Sequence, residues 1–186
     1  VIRHNTMPQL NDRFIEETKK LSGSEKGIAL HLAMQYICYS KCVTVQGIKE
    51  ELERLQSEEY MTQAQIEAVD PQRIYKLFSS PLGAKLLQAD KVQREFKFSL
   101  LMSARELKLG QTEDKVLVQG VIDCFIDTPE GLIVVDFKSD LVTNANVYER
   151  AQGYKIQIDT YCTALGRITG KQIARRVLYF FALDME

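Results

Sequence analysis

Two apolar runs sit almost back to back in the second half of the chain: KVLVQGVIDCFID at 115–127 and GLIVVDFKSD at 131–140, joined through Thr128-Pro129-Glu130-Gly131. Runs so rich in Val, Ile and Phe and so closely joined read as a buried β-hairpin. Side chains alternate along a strand, so Val116, Val118, Gly120, Ile122, Cys124 and Ile126 share one face, and Asp123 lies on the other between Val121 and Phe125. In the second strand Ile133, Val135 and Phe137 share a face, while Leu132, Val134, Asp136 and Lys138 share the opposite one. An acid and a base therefore stand side by side on a face that is otherwise apolar.

The turn decides what faces Asp136. A two- or four-residue loop sets residue 127 against 132 and Asp123 directly opposite Asp136, with Cβ atoms about 4.5–5.5 Å apart. Pro-Glu-Gly also suits a type I turn with a glycine bulge, which shifts the register by one and parts the two acids. In the first register the carboxylates repel unless one is protonated or a cation bridges them. Asp-x-Lys by itself usually marks a strand's exit into solvent, with Asp123 salt-bridged nearby; a second acid at matching register favours a metal site. Hard oxygen ligands in a small site suit Mg²⁺ or Mn²⁺. A cation held so can take a phosphate oxygen and acidify water, and a neighbouring ammonium can orient that water or stabilise developing charge. This chemistry fits hydrolysis of a phosphodiester.

The first ninety residues read as helices. Ser22 with Glu25 and Thr62 with Gln65 form capping boxes, and Asp70-Pro71 and Ser80-Pro81 each place an N-cap before a first-turn proline. Apolar stripes run through Ile28, Leu32 and Ile37, and through Ile48, Leu52 and Leu55. From Lys91 the pattern turns to strands: KVQREFKFSLL, the GQTED turn, then the two runs above. A polar loop, TNANVYERAQ, leads to a helix expected over Gly153–Ile168 and ended by Gly170, and IARRVLYFFAL supplies a last strand. The expected fold class is α/β: a mixed central sheet behind an N-terminal helical lobe.

A net charge of −1 over 186 residues gives no global nucleic-acid signature. No apolar run reaches membrane-spanning length, there is no signal-peptide pattern, and the chain opens on Val1, as expected of a piece cut from a longer protein. Cys38, Cys42, Cys124 and Cys162 lack zinc-site spacing; Cys38 and Cys42, at i, i+4 on an expected helix, read as core in a reducing cytosol rather than as a metal pair. No G-x-x-x-x-G-K-[ST] loop is present, so any ATP-driven motor lies elsewhere in a parent chain.

Gly120-Val121-Ile122-Asp123, Asp136-Phe137-Lys138-Ser139-Asp140 and Gln157-Ile158-Asp159-Thr160-Tyr161, preceded by Gly27-Ile28-Ala29-Leu30-His31, resemble the RecB-type branch of the PD-(D/E)XK nucleases. The pattern there is G-x-x-x-H, G-x-x-D, D-[YF]-K-[ST], Q-x-x-x-Y. The resemblance implies a restriction-endonuclease-like fold and one nuclease domain over 1–186, with 1–90 mainly helical and 91–186 a β-β-β-α-β core. It implies Asp123, Asp136 and Lys138 as catalytic residues, and His31, Asp123, Asp136 and the Phe137 carbonyl as ligands of Mg²⁺ or Mn²⁺. Gln157, Tyr161 and Tyr154 would face the site or the DNA, and Glu95 matches an acid that often opens the first strand. A lone histidine on an apolar helix is usually a core or boundary residue; the motif, and Gly27 one turn earlier to admit another backbone, make His31 a ligand candidate.

In detail the chain looks most like the nuclease domain of AddA-type helicase–nucleases, bacterial and cytoplasmic, which act with an AddB-type partner in double-strand-break repair. That likeness implies a metal-dependent exonuclease acting on single-stranded DNA delivered by a helicase. The cysteines do not bracket the domain, so no iron–sulfur cluster is expected. Lys91, Arg94, Lys97, Arg105 and Lys108 are candidate phosphate contacts, although charged residues on an outer strand face are more often simply solvated, and Arg175 and Arg176 are ambiguous in the same way. Two other readings are a stand-alone exonuclease of the same superfamily and an inactivated nuclease fold serving as a DNA-binding or assembly module.

Overall fold

Each described α-helix of the N-terminal half begins at a residue that caps it. In the computed structural model, which describes residues 21–106, 110–111 and 114–186, Ser22 opens α1 (Gly23–Tyr36) with the full capping box to Glu25. Thr44 caps α2 (Val45–Ser57), and Thr62 opens α3 (Gln63–Ala68) through its box with Gln65. Asp70 and Ser80 cap α4 (Pro71–Phe78) and α5 (Pro81–Gln88), each with proline in the first turn. Every cap expected from the sequence is in place. Lys108 and part of the GQTED turn lie outside the described residues.

Four strands follow: β1 (Val92–Ser103), β2 (Lys115–Thr128), β3 (Gly131–Lys138) and β4 (Ile173–Phe180), in sheet order β1-β2-β3-β4. The first three pair antiparallel; β4 lies parallel to β3 after the crossover helix α6 (Val147–Thr169). Helices α1, α2, α4 and α5 bury Ile37, Ile48, Leu55, Ile74, Leu77 and Leu82 against Cys124, Ile133, Val135 and Phe137 on one side of the sheet. On the other side Ile158, Cys162 and Leu165 of α6 pack on Phe98, Ile122, Leu132 and Val134. Residues of β3 are buried throughout, as a strand covered on both faces must be. No described helix is long and apolar enough to cross a membrane.

The β2–β3 turn takes the two-residue form. Thr128 pairs with Gly131 and Asp127 with Leu132, leaving Pro129-Glu130 at the tip. Gly131 has φ +123°, and a Cβ there would sit 2.6 Å from the Gln172 carbonyl oxygen, so only glycine fits. The unshifted register holds, and the glycine bulge is excluded.

Several expectations fail locally. Helix α6 starts at Val147 rather than Gly153: Val147 is buried with Val142 and Phe180, and this anchor outweighs a mid-helix glycine costing about 1 kcal/mol. Ile28 is 54% exposed, because α1 buries Ala29, Leu30, Ala33 and Met34 instead. Cys38 and Cys42 flank a 3₁₀ turn (Tyr39–Lys41) rather than sharing an α-helix; Cys38 is exposed, while Cys42, Cys124 and Cys162 are buried as core.

The alternation of β2 also breaks. Ile122 packs on the α6 side, but Cys124 and Ile126 join the lobe core, so residues 116–126 do not share one face. In β1 the switch falls at the same level: Arg94 bonds the Met34 and Ile37 carbonyls of the lobe, whereas Phe96 stacks on Phe125. Arg94↔Cys124 and Phe96↔Ile122 both pair, and Glu95 and Asp123 between them do not. Glu95 has φ +50°, a left-handed conformation that turns the strand over without changing register. In chelator, Glu95→Gly should be more stable than Glu95→Ala by about 1 kcal/mol in urea unfolding. Equal stabilities would mean that position 95 does not hold this geometry.

Candidate active site

The β2–β3 ladder runs from Thr128↔Gly131 to Cys124↔Val135 and stops there. The next level carries Asp123 and Asp136. With no β2 carbonyl in play, the Phe137 N–H donates to Asp123 Oδ2 at 2.7 Å, so a side chain takes over a ladder bond. That bond fixes one edge of the Asp123 carboxylate at the mouth of the splayed strands.

Asp136 and Lys138 lie on the α6 face of β3, as alternation requires, and both are buried, at 3% and 7% exposure. Asp136 Oδ2 is 2.6 Å from Lys138 Nζ, an ion-pair contact outside hydrogen-bond alignment, and this buried oxygen has no hydrogen-bond partner. Burial, followed by the nearby charge of Asp123, pushes the Asp136 carboxyl up to about 6, against the opposing pull of Lys138. A carboxylate raised while touching an ammonium group marks a site short of positive charge.

From the lobe, α1 presents His31, whose Nδ1 is 3.5 Å from Asp123 Oδ1. Burial pulls its imidazole down, but the bond and charge of Asp123, with the charges of Asp136 and Glu95, leave it raised. Glu95 reaches in from the unpaired level of β1, and one ligating atom each of His31, Glu95 and Asp123 lie within 4.8 Å of one another. Burial, and then Asp123, hold the Glu95 carboxyl above its ordinary range. Three carboxylates, one of them with an unpartnered buried oxygen, and an imidazole form a donor set that suits a divalent cation.

Helix α6 forms the other wall. Lys138 Nζ donates to Gln157 Oε1 at 3.0 Å, and Gln157 Nε2 donates to the Tyr161 hydroxyl at 2.9 Å. These residues stand one turn apart on one helix face. The Tyr161 ring fits because residue 120 is glycine: a Cβ there would lie 2.8 Å from Tyr161 Cε1 and 2.9 Å from the Phe98 ring. One turn before Gln157, the Tyr154 ring sits 3.7 Å from Lys138 Nζ.

The structure thus brings together His31, Glu95, Asp123, Asp136, Lys138, Gln157, Tyr161 and Tyr154. Of the expected ligands, His31 and Asp123 group with Glu95 within 4.8 Å, while Asp136 leans on Lys138. Phe137 turns its ring onto Phe181 in the lobe core, and its backbone borders the site. Gly27 admits a side chain rather than a backbone, since a Cβ there would lie 2.6 Å from Ser139 Oγ. Arg94 is not a phosphate contact, because its guanidinium caps lobe carbonyls and stacks on Tyr39. Arg175 and Arg176 pair with Glu186 and Asp159. Sequence reasoning gave no role to Asp140, although it ends the Asp-Phe-Lys-Ser-Asp string; it bonds Tyr154 and Arg150 beside the lysine.

A family model described as the PD-(D/E)XK nuclease superfamily matches residues 8–185. The chain belongs to this superfamily. Its fold is accordingly of restriction-endonuclease-like type, and nucleases of this superfamily use divalent metals. Among curated relatives, an AddA-type ATP-dependent helicase/nuclease from Thermoanaerobacter sp. (strain X514) is 37% identical over 172 residues, 90% of this chain. The proteins of the same name from Clostridium novyi (strain NT) and Clostridium botulinum (strain Hall) are 34% and 37% identical over 93% and 92% of it. The chain spans 14% of the length of each of these relatives.

The Asp136 shift has a consequence for stability. The folded chain holds this proton more tightly than the unfolded chain, where aspartate titrates near 3.8. The contribution is therefore fully present below that value and is lost as pH rises through about 6. In metal-free buffer, the chain should lose up to about 3 kcal/mol relative to Asp136→Asn across that window, at about 1.4 kcal/mol per pH unit. Urea unfolding of both proteins in chelator checks this; a pH-independent difference would show that Asp136 ionises normally.

Proposed function

We propose that this chain is the nuclease domain of a longer helicase–nuclease and hydrolyses phosphodiester bonds of single-stranded DNA, using Mg²⁺. The observation that carries this reading is the pairing of two inward-facing aspartates with a buried lysine at the end of one hairpin. The geometry fits water attack on a phosphate, where charge builds on oxygen and an ammonium nearby can stabilise it. The relatives' name joins helicase and nuclease in one polypeptide, and the chain covers only 14% of their length. Both facts favour a helicase-linked domain over a stand-alone exonuclease. On this reading the strand arrives already unwound, so the domain needs little DNA affinity of its own, consistent with a net charge of −1. An AddB-type partner and a role in double-strand-break repair follow from the same likeness.

Asp123, Asp136, His31 and the Phe137 carbonyl would hold the cation, with Glu95 beside them. A divalent ion so held supplies charge to a phosphate oxygen and lowers the pKa of water. Asp123 is steadied by the Phe137 N–H, so its orientation is set before substrate arrives. Asp136 offers Oδ2, the oxygen with no hydrogen-bond partner. Lys138 orients the attacking water or donates to the phosphate oxygen on which charge develops, while Gln157 keeps Nζ in place and Tyr161 keeps Gln157 in place. His31 Nδ1 lies 3.5 Å from Asp123 Oδ1 and closes the site from the lobe side.

Labelled single-stranded DNA incubated with the chain and Mg²⁺ should be cut, and neither Asp136→Ala nor chelator-treated protein should cut it. Lys138→Ala should retain Mn²⁺ binding by calorimetry and lose about 10²–10³-fold in turnover. Equal cleavage by the Asp136→Ala protein would overturn the site. Loss of Mn²⁺ binding in Lys138→Ala would make the lysine structural.

A further inference from the structure

Lys138 is held from three sides, and only two of them are oxygens. Asp136 and Gln157 supply those; the third side is the flat face of Tyr154, 3.7 Å from Nζ. An ammonium group so close to a ring centroid is held by the negative face of the π system. The ring is in turn pinned. Its hydroxyl donates to Asp140 Oδ2 at 2.7 Å, and Asp140 Oδ1 accepts from Arg150 Nη2 at 2.7 Å and Nε at 3.2 Å. Phe180 backs the same ring at a centroid distance of 6.4 Å. Asp140 lies two residues beyond Lys138, where β3 has just ended, so it ties the strand exit to the first turns of α6.

We propose that Asp140, acting through Tyr154, is a positioning residue that fixes where the Lys138 ammonium points. This rests on the nuclease reading of the site. Asp136 Oδ2 cannot serve Lys138 and a cation equally, so once the carboxylate engages the cation the lysine depends on Gln157 and the ring. Gln157 fixes one direction only. A long, flexible side chain with one partner samples many positions, whereas a ring locked by Asp140 removes that freedom. Asp140 touches neither substrate nor reacting atoms in this role. Arg150 in turn holds Asp140 from the exposed side.

The test compares the full chain with Asp140→Ala, Asp140→Asn, Tyr154→Phe, Tyr154→Leu and the Asp140→Ala/Tyr154→Leu double variant, on single-stranded DNA with Mg²⁺. Asp140→Ala and Tyr154→Leu should each lower kcat about tenfold or more, leaving KM and Mn²⁺ affinity within about twofold. The double variant should fall no further than Tyr154→Leu alone, because both changes break one linkage. Asp140→Asn, which still accepts from the tyrosine, should rescue most of the loss. Tyr154→Phe, which keeps the ring and its volume but not the tether, should behave as Asp140→Ala and carries the test if that variant does not fold.

Unchanged kcat in both Asp140→Ala and Tyr154→Phe would overturn the inference. So would multiplicative losses in the double variant, or a loss that follows Mn²⁺ affinity. A wild-type chain that cuts no DNA would overturn the nuclease reading and this inference with it. A wild type that cuts beside equally active variants would overturn this inference alone.

Discussion

Two carboxylates set just past the last rung of a hairpin cannot both stay charged and dry without help, and the architecture supplies that help from every side. Asp123 takes the Phe137 N–H that the ladder has abandoned. Asp136 leans on Lys138 from its own strand. His31 is brought by the lobe, and Gln157 by the crossover helix. The help is incomplete: Asp136 remains raised and one of its oxygens has no hydrogen-bond partner. Asp123, Asp136 and Glu95 together outweigh Lys138, leaving a net negative charge that a divalent cation would offset.

This requirement explains why the sheet is sandwiched. A hairpin alone could align the two aspartates, but it would leave them in water, where their repulsion is screened and their affinity for a cation is weak. The lobe and α6 dry the two faces and bring different chemistry, imidazole from one and amide from the other. The change of faces at Glu95 and Asp123 sits between these layers. Below it Cys124 and Ile126 face the lobe core; above it Phe96, Phe98 and Ile122 face the α6 core. At the crossover level both acids are released from pairing, and their carboxylates reach toward His31.

Much of this was legible in the sequence because it depends on local rules. Capping boxes read correctly at Ser22 and Thr62 since the bonds involved span three residues. The parity of Asp136 and Lys138 held because β3 keeps one unshifted register with β4 from Ile133 to Lys138. What failed was non-local. Nothing in REFKF announces that Glu95 adopts φ +50°, so the face change in β2 could not be read from alternation. The start of α6 was hidden because Val147 is fixed by packing on Val142 and Phe180, contacts that a polar-looking segment does not advertise. Arg94 was misread for the same reason, its partners being carbonyls at the end of α1. His31 was weighed as a ligand through a family pattern; from its helix alone it reads as a boundary residue.

The composition of the site also bears on whether the fold still uses it. A buried ion pair is seldom the most stable filling for a core, and apolar residues of similar volume often do better. Here Lys138 and Asp136 occupy positions that Val or Leu would fill with less strain on stability, in a strand otherwise built from Leu132, Ile133, Val134 and Val135. Gly120 carries a similar burden, giving up side-chain packing in β2 to admit the Tyr161 ring. A fold kept only as a scaffold would be relieved by replacing the buried pair together with apolar residues. The acids, the lysine, the amide and the tyrosine, each oriented by another, fit a centre arranged for chemistry rather than for stability.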